Sequence, residues 1–488
     1  MPRLRDTFIL SICVVLHWSS ALTISAELRE FWIQQPLDHF ESRGVSHESF
    51  RQRYYVDWSH QDGQSDVDGV PILVYIGGEA SIDQFLGEGG IVTVAASRLK
   101  GLVVYVEHRF YGKSIPRGSI DTALLDPHVR GCLTSDQALE DLAKVIVTLK
   151  SNLSIPRSPV ITFGGSYAGT VRFRMIYSNI TIGSLASSAP ILMSANVPAH
   201  KQYCYIVSQD FENESKECYQ NISRSWGLID EVASQHDSLD TLSRAFSTCS
   251  PLRSTDKLKT YLAQMYNYAA QYNGRFGHIH QLCRVLFRAS KNDLLKGIGD
   301  AVLSLTQDKR CNDPTGTAAK PFSILDSASA KAWDWQRCNE IVPYQYCGEN
   351  TMFEKSSFDP SVFSESCFEE YGSYSHPLWN STIYNGRDLK ITSNVIFSNG
   401  LMDPYSGASI LENISETVIS ITTKEGSHCL DLTPAQDDDP KWLKDQRDLE
   451  LQIIARWLNV TLPSDNSPLV WAIWSRFLVA IVLVHIIA

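Results

Sequence analysis

Phe163-Gly164-Gly165-Ser166-Tyr167-Ala168-Gly169 is the stretch that decides the fold. It follows a short apolar run, Val160-Ile161-Thr162-Phe163, and leads into a helix-like segment from Thr170 to Tyr177. A serine held between a strand and a helix stands proud of a sheet, but the turn is so sharp that bulky neighbours clash. Gly164 and Gly165 leave room before Ser166, and Ala168-Gly169 leave it after. The strict pattern is Gly-x-Ser-x-Ala, and a plain glycine-rich turn is the competing reading. The strand in front weighs toward a nucleophile.

Working outward, Pro71-Ile-Leu-Val-Tyr-Ile76 and Gly101-Leu-Val-Val-Tyr-Val106 are continuous apolar runs bounded by Gly and Pro. Strands buried on both faces of a parallel sheet read this way. Residues 90–99 fit a crossover helix between them, and 133–149 carry apolar residues at helical spacing before the strand at 160–163. Strand, helix and strand in alternation predict a doubly wound α/β sheet. Sheet character resumes at 394–398 and 417–422, and a final helix is expected over 446–458. Between 197 and 371 the texture differs: eight cysteines, amphipathic stretches at 258–272 and 282–295, and no buried-strand run. The expected organisation is a leader over 1–26, sheet parts over 27–196 and 372–463, a disulfide-tied helical cap inserted at 197–371, and a tail over 464–488.

Two further motifs complete a reactive centre. Ser398-Asn-Gly-Leu-Met-Asp403-Pro404 follows a strand, and Glu425-Gly-Ser-His428-Cys-Leu-Asp431 follows the next. Serine, acid, histidine is the chain order of an α/β-hydrolase triad. A serine hydroxyl needs a base to take its proton, and the base needs a carboxylate to fix its tautomer. Ser166, His428 and Asp403 are the candidates for those roles. His108, in Glu107-His-Arg-Phe-Tyr-Gly112, also ends a strand but precedes the serine, so it reads as a structural turn histidine. A tetrahedral oxyanion needs two N–H donors. Tyr167, after the nucleophile, and Gly78, after the strand at 71–76, are the candidates.

The composition bounds what such a centre serves. The 488 residues are 43% hydrophobic and 20% charged, with a formal net charge of −11. That describes a globular protein and offers no footing for nucleic acid. Arg3 and Arg5 before Phe8–Leu16, with small residues at 19–21, read as a secretory leader cleaved after Ala21 or Ala26. Its removal takes Cys13 and leaves ten of the 11 cysteines, an even number that suggests disulfides. No cysteine or histidine spacing suggests a metal site, and no cofactor is expected. Seven glycosylation sequons, at Asn152, Asn179, Asn213, Asn221, Asn380, Asn413 and Asn459, agree with secretion. The apolar end from Leu469 to Ala488 contains Arg476 and His485. A charge in a span costs about 3 kcal/mol. A removable GPI signal after Ser464–Ser467 therefore fits better than a single-pass anchor or an amphipathic tail. The expected setting is the secretory pathway, at the cell surface or in an endolysosomal or extracellular space, with membrane contact through the tail and a homodimer left open.

With these motifs in view, the chain resembles the family of lysosomal Pro-X carboxypeptidase and dipeptidyl peptidase II, with motifs nearest to thymus-specific serine protease. The resemblance also runs through Gln35-Pro-Leu-Asp-His-Phe40, Tyr75-Ile-Gly-Gly-Glu79, Glu107–Gly112, Leu133-Thr-Ser-Asp-Gln-Ala-Leu139 and Trp335-Gln-Arg-Cys-Asn-Glu340. It implies an α/β-hydrolase domain capped by a helical insertion, peptide substrates, and exopeptidase activity often directed after proline. It also supports Ser166, Asp403 and His428 as the triad. One departure is Asp403-Pro404-Tyr405 where members commonly carry Asp-Pro-Trp. Glu79 and Glu340 are candidates for holding a terminal ammonium, with structural hydrogen bonding as the competing reading for both. Trp333 and Trp335 are candidates for an aromatic wall against a proline ring. A lipase or esterase, and a non-catalytic binding protein on the same scaffold, are the alternative readings.

Overall fold

The computed structural model describes residues 28–41, 48–61, 68–86, 90–166, 169–193, 200–289, 293–306, 310–314, 326–341, 347–356, 358–375 and 386–462. The expected leader, the tail from 464, Tyr167 and Asn380 lie outside them. Eight strands build one sheet: β1 (Leu28–Pro36), β2 (Ser49–Asp57), β3 (Ile72–Ile76), β4 (Leu102–Val106), β5 (Val160–Gly165), β6 (Gly183–Ser187), β7 (Val395–Gly400) and β8 (Val418–Thr423). Their order is β1-β2-β4-β3-β5-β6-β7-β8. β2 runs antiparallel to β1 and β4, and the remaining neighbours are parallel.

The period of two along each strand divides the core into two layers. Leu73, Tyr75, Val103, Tyr105, Ile161 and Phe163 pack with Ile91, Val92, Ala95 and Ala96 of helix α1 (Gly90–Leu99) and with Leu451, Ile453 and Ile454 of the last helix, Lys441–Leu458. Ile72, Val74, Leu102, Val104 and Val160 point the other way, onto Leu139, Leu142, Val145, Ile146 and Leu149 of α2 (Ser135–Asn152). Both faces are covered, which is why these strands read as unbroken apolar runs. This is an α/β-hydrolase architecture. From β3 the chain crosses to β4 on one side and later to β5 on the other. Ligands of such sheets bind at the carboxyl ends of strands where the order reverses. Gly78 follows β3 and Ser166 follows β5.

Between β6 and β7 the described residues form helices, among them α4 (His200–Glu214) and α7 (Thr255–Gln271), with an isolated bridge between Thr248 and Asn312. Helix α3 (Gly169–Ile176) follows the serine corner, and α5 (Lys216–Ala233) and α6 (Ser238–Ala245) lie between α4 and α7. The core shared by the helices between β6 and β7 includes Phe211, Trp226, Leu262, Tyr266, Leu282 and Ile298. Cys204–Cys347, Cys218–Cys283, Cys249–Cys311 and Cys338–Cys367 are disulfides, so all eight cysteines of this segment are paired. Cys132 and Cys429 are free thiols, which departs from the full pairing that an even count suggested.

Three strands escaped the sequence reading. β1 and β2 lie at the antiparallel edge and mix charged with apolar residues. β6, Gly-Ser-Leu-Ala-Ser, opens on Gly183, where a Cβ would meet the Trp457 ring at 2.3 Å. The stretch 282–295 is not one helix: α8 ends at Ala289 (His278–Ala289) and α9 begins at Leu294 (Leu294–Leu305).

Candidate active site

Ser166 closes β5 with φ of +58°, a left-handed conformation that costs a non-glycine residue energy and marks a constrained corner. Its N–H donates to Ser187 O at 2.9 Å, at the end of the neighbouring strand. Gly165 is small for a reason beyond the turn. A Cβ there would lie 2.6 Å from Leu432 Cδ1 and 2.8 Å from Cys429 Sγ. The residue before the serine thus packs against the loop that carries His428.

That loop is fixed from three sides. His428 N–H donates to Gln271 O, at the end of α7, at 3.1 Å. Gly274 N–H donates to Ser427 Oγ at 3.1 Å. Cys429 N–H donates to Ser188 Oγ at 2.9 Å. The imidazole is 5% exposed. Its Nδ1 lies 2.9 Å from Asp403 Oδ2, while Nε2 has no partner among the described residues. Asp403 is buried as well, and its other oxygen accepts from Tyr405 N–H at 2.9 Å, capping the short 3-10 turn Pro404–Ala408. Burial works against the imidazolium, but the Asp403 carboxylate and the Cys429 side chain together outweigh it and lift the His428 pKa well above the ordinary imidazole range.

Aromatic rings enclose the imidazole. Tyr272 meets it edge-on at 6.0 Å and Tyr405 lies at 5.3 Å, with Tyr203 of α4 against Tyr405 at 5.0 Å. Tyr272 and Tyr405 are half-buried, and neither was singled out as a pocket wall in the sequence reading. Glu79 is half-buried nearby; burial raises its carboxyl pKa and the charge of His428 pulls it down. Gly77 N–H is committed to Val106 O at 2.9 Å, whereas Gly78 N–H has no partner among the described residues.

Two expectations are corrected. Glu340 is 2% exposed and does not face the site: its two oxygens accept from Ser135 N–H, each at 2.9 Å, and one also accepts from Ser135 Oγ. It caps the start of α2. Trp335 is a core residue, not a wall. It is buried with Phe110, Tyr111 and Leu133, and its Nε1 donates to Arg130 O at 2.9 Å. His108 is the turn histidine expected of it, with Nδ1 on Arg109 O at 2.7 Å and a pKa driven down to about 4 by burial. The surrounding motif is an ion-pair knot: Glu107 holds Arg53 at 2.6 Å, and Arg109 holds Asp141 at 2.6 Å.

A family model described as serine carboxypeptidase S28 matches residues 35–450. The sequence is 32% identical over 448 residues to lysosomal Pro-X carboxypeptidase of Homo sapiens, spanning 88% of this chain and 88% of that protein. It is 29% identical over 469 residues to prolyl carboxy peptidase like protein 5 of Caenorhabditis elegans, spanning 88% of this chain and 90% of that one. To thymus-specific serine protease of Homo sapiens it is 28% identical over 472 residues, spanning 89% of this chain and 87% of that protein.

Proposed function

Since the chain belongs to the serine carboxypeptidase S28 family and is a serine-type peptidase, we propose that it removes residues from the end of a peptide, after proline, through an acyl-enzyme on Ser166. The observation that carries this is the buried His428–Asp403 hydrogen bond, which leaves Nε2 of the imidazole free to face a nucleophile. Ser166 Oγ attacks the scissile carbonyl and His428 Nε2 takes its proton. The imidazolium then protonates the leaving amine, and a water activated by the same nitrogen releases the acyl group. Asp403 holds the tautomer that makes Nε2 the acceptor. The N–H groups of Tyr167 and Gly78 are the donors for the oxyanion.

Tyr272 and Tyr405 supply the aromatic wall for a proline ring, in place of the buried Trp335. Glu79 is the candidate for a terminal ammonium, because it lies within the electrostatic reach of His428. The helical segment 197–371 acts as the cap, since Gln271 and Tyr272 at the end of α7 reach the base. Passage through the secretory pathway toward an endolysosomal compartment is supported by the four disulfides, by the leader pattern and by exposed sequon asparagines at 152, 179, 213, 413 and 459. Among the described residues no helix is long and apolar enough to cross a membrane; the apolar end lies outside them.

The test is mass spectrometry of a peptide with proline second from each end, incubated with the protein and with Ser166→Ala. Loss of a C-terminal residue or of an N-terminal dipeptide, absent in the mutant, establishes the reaction and its polarity. Equal cleavage by Ser166→Ala overturns the reading.

A further inference from the structure

Ser187 and Ser188, at the end of β6, belong to no motif that the sequence reading singled out, yet they are hydrogen-bonded to Ser166 and to the segments that carry Asp403 and His428. Ser187 O accepts the N–H of Ser166 at 2.9 Å. Ser187 Oγ donates to the carboxyl of Asp431, three residues beyond the base. Ser188 N–H donates to Ser398 O of β7 at 2.8 Å, on the strand that leads to Asp403. Ser188 Oγ accepts the N–H of Cys429 at 2.9 Å, in the peptide group that His428 shares with its neighbour. Both serines are buried, at 0% and 3% exposure, so water offers no ready substitute for these bonds. Ser188 adopts φ of +49°, which turns its side chain out of the strand direction and toward the base loop.

We infer that Ser188 is a positioning residue for the base: its hydroxyl pins the peptide between His428 and Cys429 and so sets the line from Asp403 through the imidazole to Ser166. The Nδ1 of His428 is held by Asp403, and Nε2 has no hydrogen-bond partner among the described residues. A ring tethered at one nitrogen swings with its backbone. Backbone restraint therefore decides where Nε2 points, and misplacement of a reacting group by an ångström costs on the order of a hundredfold in rate. Gln271 O and Ser427 Oγ belong to or face the helical insertion, whereas Ser188 ties the His428–Cys429 peptide to the end of β6.

The inference rests on the triad reading, and the experiment separates the two. Ser188→Ala and Ser188→Gly are compared with Ser184→Ala, a buried serine of the same strand whose hydroxyl meets Thr162 Oγ1, using a proline peptide and a fluorophosphonate probe. Glycine accommodates the positive φ better than serine and lacks the hydroxyl, so it isolates the hydrogen bond from backbone strain. Expected for both Ser188 variants is a fall in kcat of tenfold or more with KM within about twofold, and slowed probe labelling that still reaches full stoichiometry, while Ser184→Ala keeps its kcat. Ser188→Gly with wild-type kcat overturns the inference while leaving the triad standing. An active Ser166→Ala overturns the triad reading itself. If Ser188→Ala fails to fold, Ser188→Gly decides alone.

Discussion

Gly400 and Gly426 meet backbone to backbone: a Cβ on Gly400 would lie 2.1 Å from Gly426 O. Met402 N–H donates to that same oxygen at 3.0 Å. The loop of the acid and the loop of the base are thereby closed on each other, which sets Asp403 beside His428. Gly400→Ala forces this contact apart. The expected outcome is a loss of about 1–3 kcal/mol in stability, read from the denaturant midpoint, together with a fall in kcat larger than any change in KM.

Asp403→Asn preserves the oxygen that caps Tyr405 N–H and removes the negative charge facing His428. By analogy with other triads, kcat drops about 10⁴-fold. Asp403 is the foremost of the groups that lift the imidazole pKa against the effect of burial. The base must be neutral to act, so the acid limb of kcat/KM follows that pKa and moves to lower pH in the variant. A pH–rate profile with an unmoved limb refutes the assignment.

Stability should fall as pH rises. Asp431 and Glu450 are buried together, each with one carboxyl oxygen that has no partner among the described residues, and burial raises both pKa values. Burial also pushes Glu340 up to about 7 and, helped by the Asp403 charge, Asp210 up to about 8. Unfolded carboxyls release their protons near pH 4. From there up to these raised values the folded state holds more protons than the unfolded one, so the slope of stability against pH is negative, about 1.4 kcal/mol per unit for each proton. Chemical denaturation between pH 4.5 and 8 should show this decline, and Glu450→Gln should flatten it.

Trp335 and Tyr272 should part company under mutation. Trp335→Ala empties a packed site and costs about 3–5 kcal/mol, with the KM of the folded fraction unchanged. Tyr272→Ala removes a half-buried ring beside His428, so kcat/KM for a proline peptide should fall about tenfold at a smaller stability cost. Steady-state kinetics beside thermal melts on the two variants checks both.

What the sequence made legible depended on range. β3 and β4 are unbroken apolar runs because helices cover both faces, so local pattern was enough. Ser166, Asp403 and His428 each carry flanking glycine or proline that reflects a turn, and chain order proposed their grouping. β6 was hidden in part because Trp457, 274 positions after Gly183, leaves no room for a side chain at its first residue. Tyr272 and Ser188 were hidden because their partners, the His428 ring and the Cys429 N–H, lie far along the chain and nothing local hints at the meeting. Trp335 and Glu340 misled for the opposite reason: their motif is distinctive, but it serves the junction of a helix with the start of α2.

The seat of His428 includes Gln271 O, contributed by the last turn of α7. The helical insertion is therefore not a lid hinged over a finished centre, because swinging it away withdraws one of the anchors of the base. On the proposed triad, substrate entry and product exit would use a passage that leaves α7 in place. Exchanging this insertion for that of another hydrolase would then remove an anchor of the proposed base along with the pocket, so specificity would not be a detachable module.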